Sequence, residues 1–254
     1  MLTSRSLAAL VGTLALVACG SDAVQSITTP ATGADVKFFN FGINAPSVNF
    51  FANDTLKVTA TSSTSGTEST TGTAFAGVGN GGFYSALPTG TYTFKGKNPA
   101  NGDVISSTPA TVDDGKAYSV YLSGFYNATT KSVESFMVED PIPATIDPGF
   151  TYVRFVNASP NSSPLTLFAK STTSAVETPV GGTVAYKTAG AFVTLPPGAY
   201  DLRGRATGAA SDAVTRTAVS FNAGRVYTIA VFGDYTVTGT TAATRIRLDN
   251  TANR

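Results

Sequence analysis

The chain repeats itself, and that repetition limits what it can fold into more than any other feature. Val36-Lys37-Phe38-Phe39-Asn40 is echoed by Val153-Arg154-Phe155-Val156-Asn157, and Val48-Asn49-Phe50-Phe51-Ala52 by Leu165-Thr166-Leu167-Phe168-Ala169, at one shared offset. The run LPTGTYTFKG from Leu87 to Gly96 is matched by LPPGAYDLRG from Leu195 to Gly204. GKAYSV from Gly115 to Val120 is matched by GRVYTI from Gly224 to Ile229, with Gly124 and Gly233 closing each stretch. Four matches in the same order define two copies of one module.

Between the second and third matches the first copy is about nine residues longer. The extra length falls in the Ser-, Thr- and Gly-rich stretch from Thr59 to Gly82, whose low apolar content reads as a long surface loop. A Pro-rich stretch from Asp140 to Gly149 separates the copies, since proline stiffens a linker and blocks strand pairing. A boundary near Ala144 gives modules at 35–143 and 144–254, each large enough to bury a core of its own.

Turn spacing sets the fold class. In the second copy, strands are expected at Tyr152 to Asn157, Leu165 to Lys170, Thr183 to Lys187, Ala191 to Leu195, Ala199 to Arg205, Thr215 to Phe221, Val226 to Phe232 and Thr244 to Leu248. Short strands divided by Gly, Pro and Asn, with no sustained 3.6-residue apolar period, predict an all-β protein: two tandem immunoglobulin-like antiparallel β-sandwich domains. Alternation puts Tyr200 and Leu202 on one face and Asp201 and Arg203 on the other, as in a sheet with one wet side. Tyr92 and Phe94 take the matching inward places in the first copy. The recurring Tyr92, Tyr118, Tyr200 and Tyr227 are therefore expected in the core, each hydroxyl reaching a backbone partner.

The beginning of the chain reads as an address. Arg5, an apolar stretch from Leu7 to Val17 and small residues before Cys19 have the layout of a secretory signal, with an apolar run too short for a comfortable membrane span. Leu16-Val17-Ala18-Cys19-Gly20 resembles the lipobox of bacterial lipoproteins, in which cleavage occurs before a lipidated cysteine. Residues 1–18 are thus expected to be the signal peptide, and 19–34 a lipidated Cys19 followed by a flexible polar tether. Cys19 is the single cysteine, so the fold has no disulfide available, and an acylated Cys19 would anchor the protein to a membrane. Gly20 after Cys19 lacks the aspartate that retains some lipoproteins at the inner membrane, which favours the outer membrane within a cell-envelope location.

The repeat motifs also resemble a bacterial family catalogued as domain of unknown function 4397. The stretch from Val153 to Pro160, the turn from Pro197 to Tyr200 and the strand from Gly224 to Thr228 carry the resemblance; the first copy departs from it at Phe41 to Asn44. The resemblance implies exported proteins with tandem sandwich domains, and no activity.

Charge and residue type then exclude most chemistry. There are 17 Lys plus Arg against 16 Asp plus Glu, and loss of Arg5 with the signal balances them, with no basic cluster to attract nucleic acid. The chain has no histidine, which removes the usual general base at neutral pH and the commonest metal ligand. No catalytic residue, metal site or cofactor is expected. Phe83, Tyr84, Phe125 and Tyr126 adjoin loops and are the candidates for exposed contact aromatics. The sequence points to a non-catalytic binding, adhesion or structural module on a membrane surface, whose partner is an envelope or extracellular protein or glycan. Two alternatives stay open: a glycan-acting enzyme using paired carboxylates, and an assembly factor that works by strand addition.

Overall fold

The computed structural model describes residues 33–58, 71–174 and 176–253. Cys19 and the signal segment lie outside the described residues. Gly33–Arg254 forms one compact unit.

Among the described residues each repeat contributes nine strands in the same order. The first contains β1 (Ala34–Ile43), β2 (Asn49–Ala52), β3 (Leu56–Lys57), β4 (Gly77–Val78), β5 (Ser85–Leu87), β6 (Gly90–Lys97), β7 (Val104–Val112), β8 (Ala117–Phe125) and β9 (Ser135–Glu139). The second contains β10 (Thr151–Ala158), β11 (Leu165–Ser171), β12 (Glu177–Val184), β13 (Thr188–Ala189), β14 (Val193–Leu195), β15 (Gly198–Ala206), β16 (Val214–Phe221), β17 (Val226–Phe232) and β18 (Arg247–Ala252). Among the described residues a single 3₁₀ turn, at Gly79–Gly82, interrupts the all-β pattern.

In each repeat two sheets face one another. The outer sheets run β3-β2-β6-β7 and β12-β11-β15-β16. The inner sheets run β4-β1-β8-β9 and β13-β10-β17-β18, with β5 and β14 also pairing to β1 and β10. The protein is an all-β sandwich assembly, with one departure from antiparallel order per repeat. β1 runs parallel to β8, from Asp35 opposite Ala117 to Ile43 opposite Phe125, and β10 runs parallel to β17. Such a pair cannot be closed by a hairpin, so the intervening chain crosses through the outer sheet first.

Two expected strands are displaced. The one placed at Thr183 to Lys187 is β12, Glu177–Val184, and the one placed at Thr244 to Leu248 is β18, Arg247–Ala252. Pro179 and the Gly181-Gly182 pair carry turn chemistry. In the fold they sit on an edge strand whose ladder with β11 shifts register between Thr166 and Leu167, where proline and glycine are tolerated. The expected surface loop also ends early. Residues 59–70 lie outside the described residues, but Thr73 pairs with Val48, β4 pairs with β1, and Phe75 packs edge-on to Phe232 with ring centroids 5.8 Å apart.

The outer sheets follow the expected alternation: in β15, Tyr200, Leu202 and Gly204 are buried and their neighbours are more open. The inner sheets do not. Every residue of β1 except Asp35 is buried, and so is every residue of β8 except Phe125. Val36, Phe38, Val120 and Leu122 fill the first repeat's own core, while Phe39, Phe41 and Tyr121 point the other way. There they join Phe136 and, from the second repeat, Val156, Ala158, Ala230 and Phe232 in a core shared by both repeats. Strands covered on both faces lose polar alternation, as in sheets buried between two layers.

Candidate functional site

The shared core continues at one end into a polar seam built from the same positions of both repeats. Lys37 and Arg154 occupy one repeat position on β1 and β10, and both are fully buried. Ser119 and Thr228 correspond on β8 and β17, and Asp140 and Asn253 follow β9 and β18. The amides of Asp140 and Asn253 make the same contact, each donating 2.7 Å to the carbonyl that opens the neighbouring strand, Ala117 and Val226.

Each basic side chain crosses to the other repeat. Arg154 Nη1 donates to the Glu139 carbonyl at 2.8 Å, Nη2 to Asp140 Oδ1, and Nε to Thr228 Oγ1 at 3.0 Å. Lys37 Nζ donates to the Ala252 carbonyl at 2.8 Å and lies 3.4 Å from Asn253 Oδ1. The contacts are isologous, as in a two-fold dimer, although one chain makes both halves. The stacked Phe41 and Phe232, 4.2 Å apart, correspond under the same exchange to Ala158 and Ser123, where the Ser123 hydroxyl donates to the Ala158 carbonyl at 2.7 Å. At three equivalent positions the first repeat carries the larger side chain: Phe39 matches Val156, Phe41 matches Ala158, and Tyr121 matches Ala230.

The acid of the seam is fully engaged. Asp140 Oδ2 accepts from Tyr84 Oη at 2.6 Å and from Ser119 Oγ at 2.7 Å, while Oδ1 holds Arg154. Burial and the Asp140 charge raise the Tyr84 hydroxyl far above the normal tyrosine pKa, so it stays a donor. Desolvation lowers Lys37 to about 8, against the pull of Asp140 and Asp249 in the opposite direction. Its ammonium also lies 4.2 Å from the centre of the Tyr84 ring. Burial raises Asp249, which accepts a hydrogen bond from Thr251. The buried Tyr121 hydroxyl lies near this network without a hydrogen bond of good geometry.

Above the seam a cleft of about 460 Å³ opens, lined by Asp35, Tyr84, Lys116, Glu139, Asp140, Asn253 and the linker from Pro141 to Ala144. The described chain begins beside it: Gly33 N donates to Asp114 Oδ1 at 2.6 Å and the Gly33 carbonyl accepts from Gly115 at 2.8 Å. Among the described residues no group of three His, Cys, Asp or Glu side chains is placed to hold a metal.

The four aromatics singled out in the sequence divide. Phe83 is 76% exposed and Phe125 48%, whereas Tyr84 turns into the seam and Tyr126 packs against the first repeat's core. The recurrent tyrosines do reach the backbone. Tyr92 and Tyr200 donate to the Pro88 and Pro196 carbonyls at 2.9 and 2.7 Å, and the hydroxyls of Tyr118 and Tyr227 accept from the amides of Asp113 and Asn222. Sequence reading passed over Lys37, Arg154 and Asp140. The available signal was a basic residue inside an apolar run at the same place in both copies.

A family model described as "Domain of unknown function (DUF4397)" matches residues 34–168 and 151–253. The chain belongs to this family. The two matched segments fit the two copies of the fold. Among solved structures, the Bacillus anthracis TIE protein is similar at 15% identity over 87% of this chain, with a TM-score of 0.23. The chain spans 44% of that protein's length, and a likeness this weak carries no structural argument. No curated protein matches the chain.

Proposed function

We propose that the protein is a non-catalytic module held at the cell envelope by lipid on Cys19, presenting two sandwiches locked into one body to an envelope or extracellular partner. The observation that carries this reading is the shared core with its polar seam, which joins the repeats where two independent domains would be joined by a linker alone. Gly33, the linker and Asn253 gather at one end, so a tether entering at Gly33 leaves the opposite loops free for contact. A rigid display of this kind needs neither cofactor nor acid–base pair.

The alternatives find less support. A paired-acid glycan enzyme needs one carboxyl free to donate a proton and another free to attack or activate water. In the cleft, both Asp140 oxygens are engaged and Glu139 pairs with Lys116 at 3.1 Å. For strand addition, β12 is interrupted by Pro179 and its bulge, and the β7 and β16 edges are tied to β9 and β18 through Thr108–Ser135 and Arg216–Leu248 contacts.

Replacing Cys19 tests the anchor. The protein with Cys19 intact is expected in the membrane fraction and the Cys19→Ala protein in the soluble fraction, with the same thermal midpoint. Retention of Cys19→Ala on membranes would overturn the lipid-anchored reading.

A further inference from the structure

The two halves of the seam differ in a way that hydrogen bonding alone does not require. Arg154 and Asp140 form an ion pair whose guanidinium and carboxylate do not condense. At the matching positions stand a primary amine and a carboxamide. Lys37 Nζ is 3.4 Å from Asn253 Oδ1, and the Asn253 Nδ2 donates 2.6 Å to Thr228 Oγ1, which fixes the orientation of the carboxamide. The carbon that the amine would attack is bonded to the oxygen it already faces, roughly 1.2 Å away from that oxygen.

We propose that Lys37 and Asn253 condense into an intramolecular isopeptide bond that staples β1 of the first repeat to the residue following β18 of the second. The unprotonated Nζ attacks Cγ of Asn253, the new C–N bond forms, and the Cγ–Nδ2 bond breaks. The proton lost by Nζ passes to the departing nitrogen, which leaves as ammonia. Atoms balance without an oxidant or reductant. Three features favour the step. Lys37 is 1% exposed, and burial brings its pKa down to about 8, so an unprotonated fraction exists under mild conditions. The Asp140 carboxylate is held by Tyr84, Ser119 and Arg154 and acts on Lys37 through its charge alone, so the proton passes to the departing nitrogen by way of the cleft that Asn253 lines. The cleft gives ammonia a way out. The charged groups acting on Lys37 are Asp140 and Asp249, which favour its protonated form, and Arg154, which opposes it.

The consequence is mechanical. The bond closes a ring over almost the whole fold in a chain whose single cysteine rules out an internal disulfide, and closure of long loops removes the most freedom from the unfolded state.

Tryptic mapping of the full chain under denaturing conditions tests the bond directly. Trypsin cleaves after Arg247 and releases Leu248–Arg254, which carries Asn253. The expected result is that this peptide is absent in free form. It should instead be joined to the uncleaved peptide around Lys37, lighter than the two together by one ammonia. The Lys37→Arg chain, which keeps the cation but cannot condense, should release the free peptide in full. Full recovery of free Leu248–Arg254 from the unmodified chain would overturn the proposal, and so would an ammonia loss that persists in Lys37→Arg.

Discussion

At the scale of single residues, the seam shows how two copies of one sequence come to hold each other. A charge buried without a partner costs several kcal/mol, so Arg154 is retained only because Asp140, Glu139 and Thr228 supply its hydrogen bonds. Removing one partner of a buried pair leaves the other uncompensated. Arg154→Ala is expected to lower the unfolding free energy by about 3–5 kcal/mol. Adding Asp140→Asn to it should recover part of that loss, because the orphaned carboxylate is then gone. Urea melts of the two variants check this, and equal stability of both would contradict the assignment of Asp140 as the stranded charge. The position was legible as a recurrent Lys/Arg within an apolar run. Its partner was not, because Asp140 belongs to the Pro-rich linker and meets Arg154 only after both repeats have folded.

At the scale of elements, the repeated glycines record close approaches that sequence marks but cannot rank. Gly124 and Gly233 close β8 and β17 with φ of 105° and 96°, a region that favours glycine. A Cβ at Gly233 would lie 2.3 Å from the Arg245 carbonyl oxygen, whereas one at Gly124 would lie 3.3 Å from Cβ of Glu134. Both substitutions strain the backbone, but only Gly233→Ala also drives into rigid main chain. It is expected to cost more than about 1 kcal/mol, and more than Gly124→Ala, in paired denaturation curves. Strand placement was readable where alternation or apolar runs were strong, as in Val226–Phe232. It failed at β12, where Pro179 and two glycines carry turn chemistry on a strand that only an edge position permits.

At the scale of the whole molecule, the decisive feature is that the central strands of the inner sheets, β1, β8, β10 and β17, have almost no wet side. Phe39, Phe41, Tyr121 and Phe136 are covered by the second repeat, and burying side chains of this size is worth about 1.5–3 kcal/mol each. Separated at the linker, residues 35–143 would expose this aromatic face, a patch large enough to drive association. The first repeat alone is expected to aggregate or bind a hydrophobic dye. Co-expression with residues 144–254 should restore a soluble one-to-one complex, measured by size-exclusion chromatography with light scattering. A first repeat that is monomeric and dye-silent alone would show that the shared core is dispensable. By itself, the sequence determined the duplication, the all-β class and the inward faces of the outer strands, because these follow from local periodicity and turn chemistry. Tertiary structure alone decided that β1 pairs parallel with β8, that the inner sheets face each other, and that Lys37, Arg154, Asp140 and Asn253 meet in one seam. Those contacts join residues far apart in the chain, and their energy comes from excluding water between surfaces that exist only once each repeat has formed.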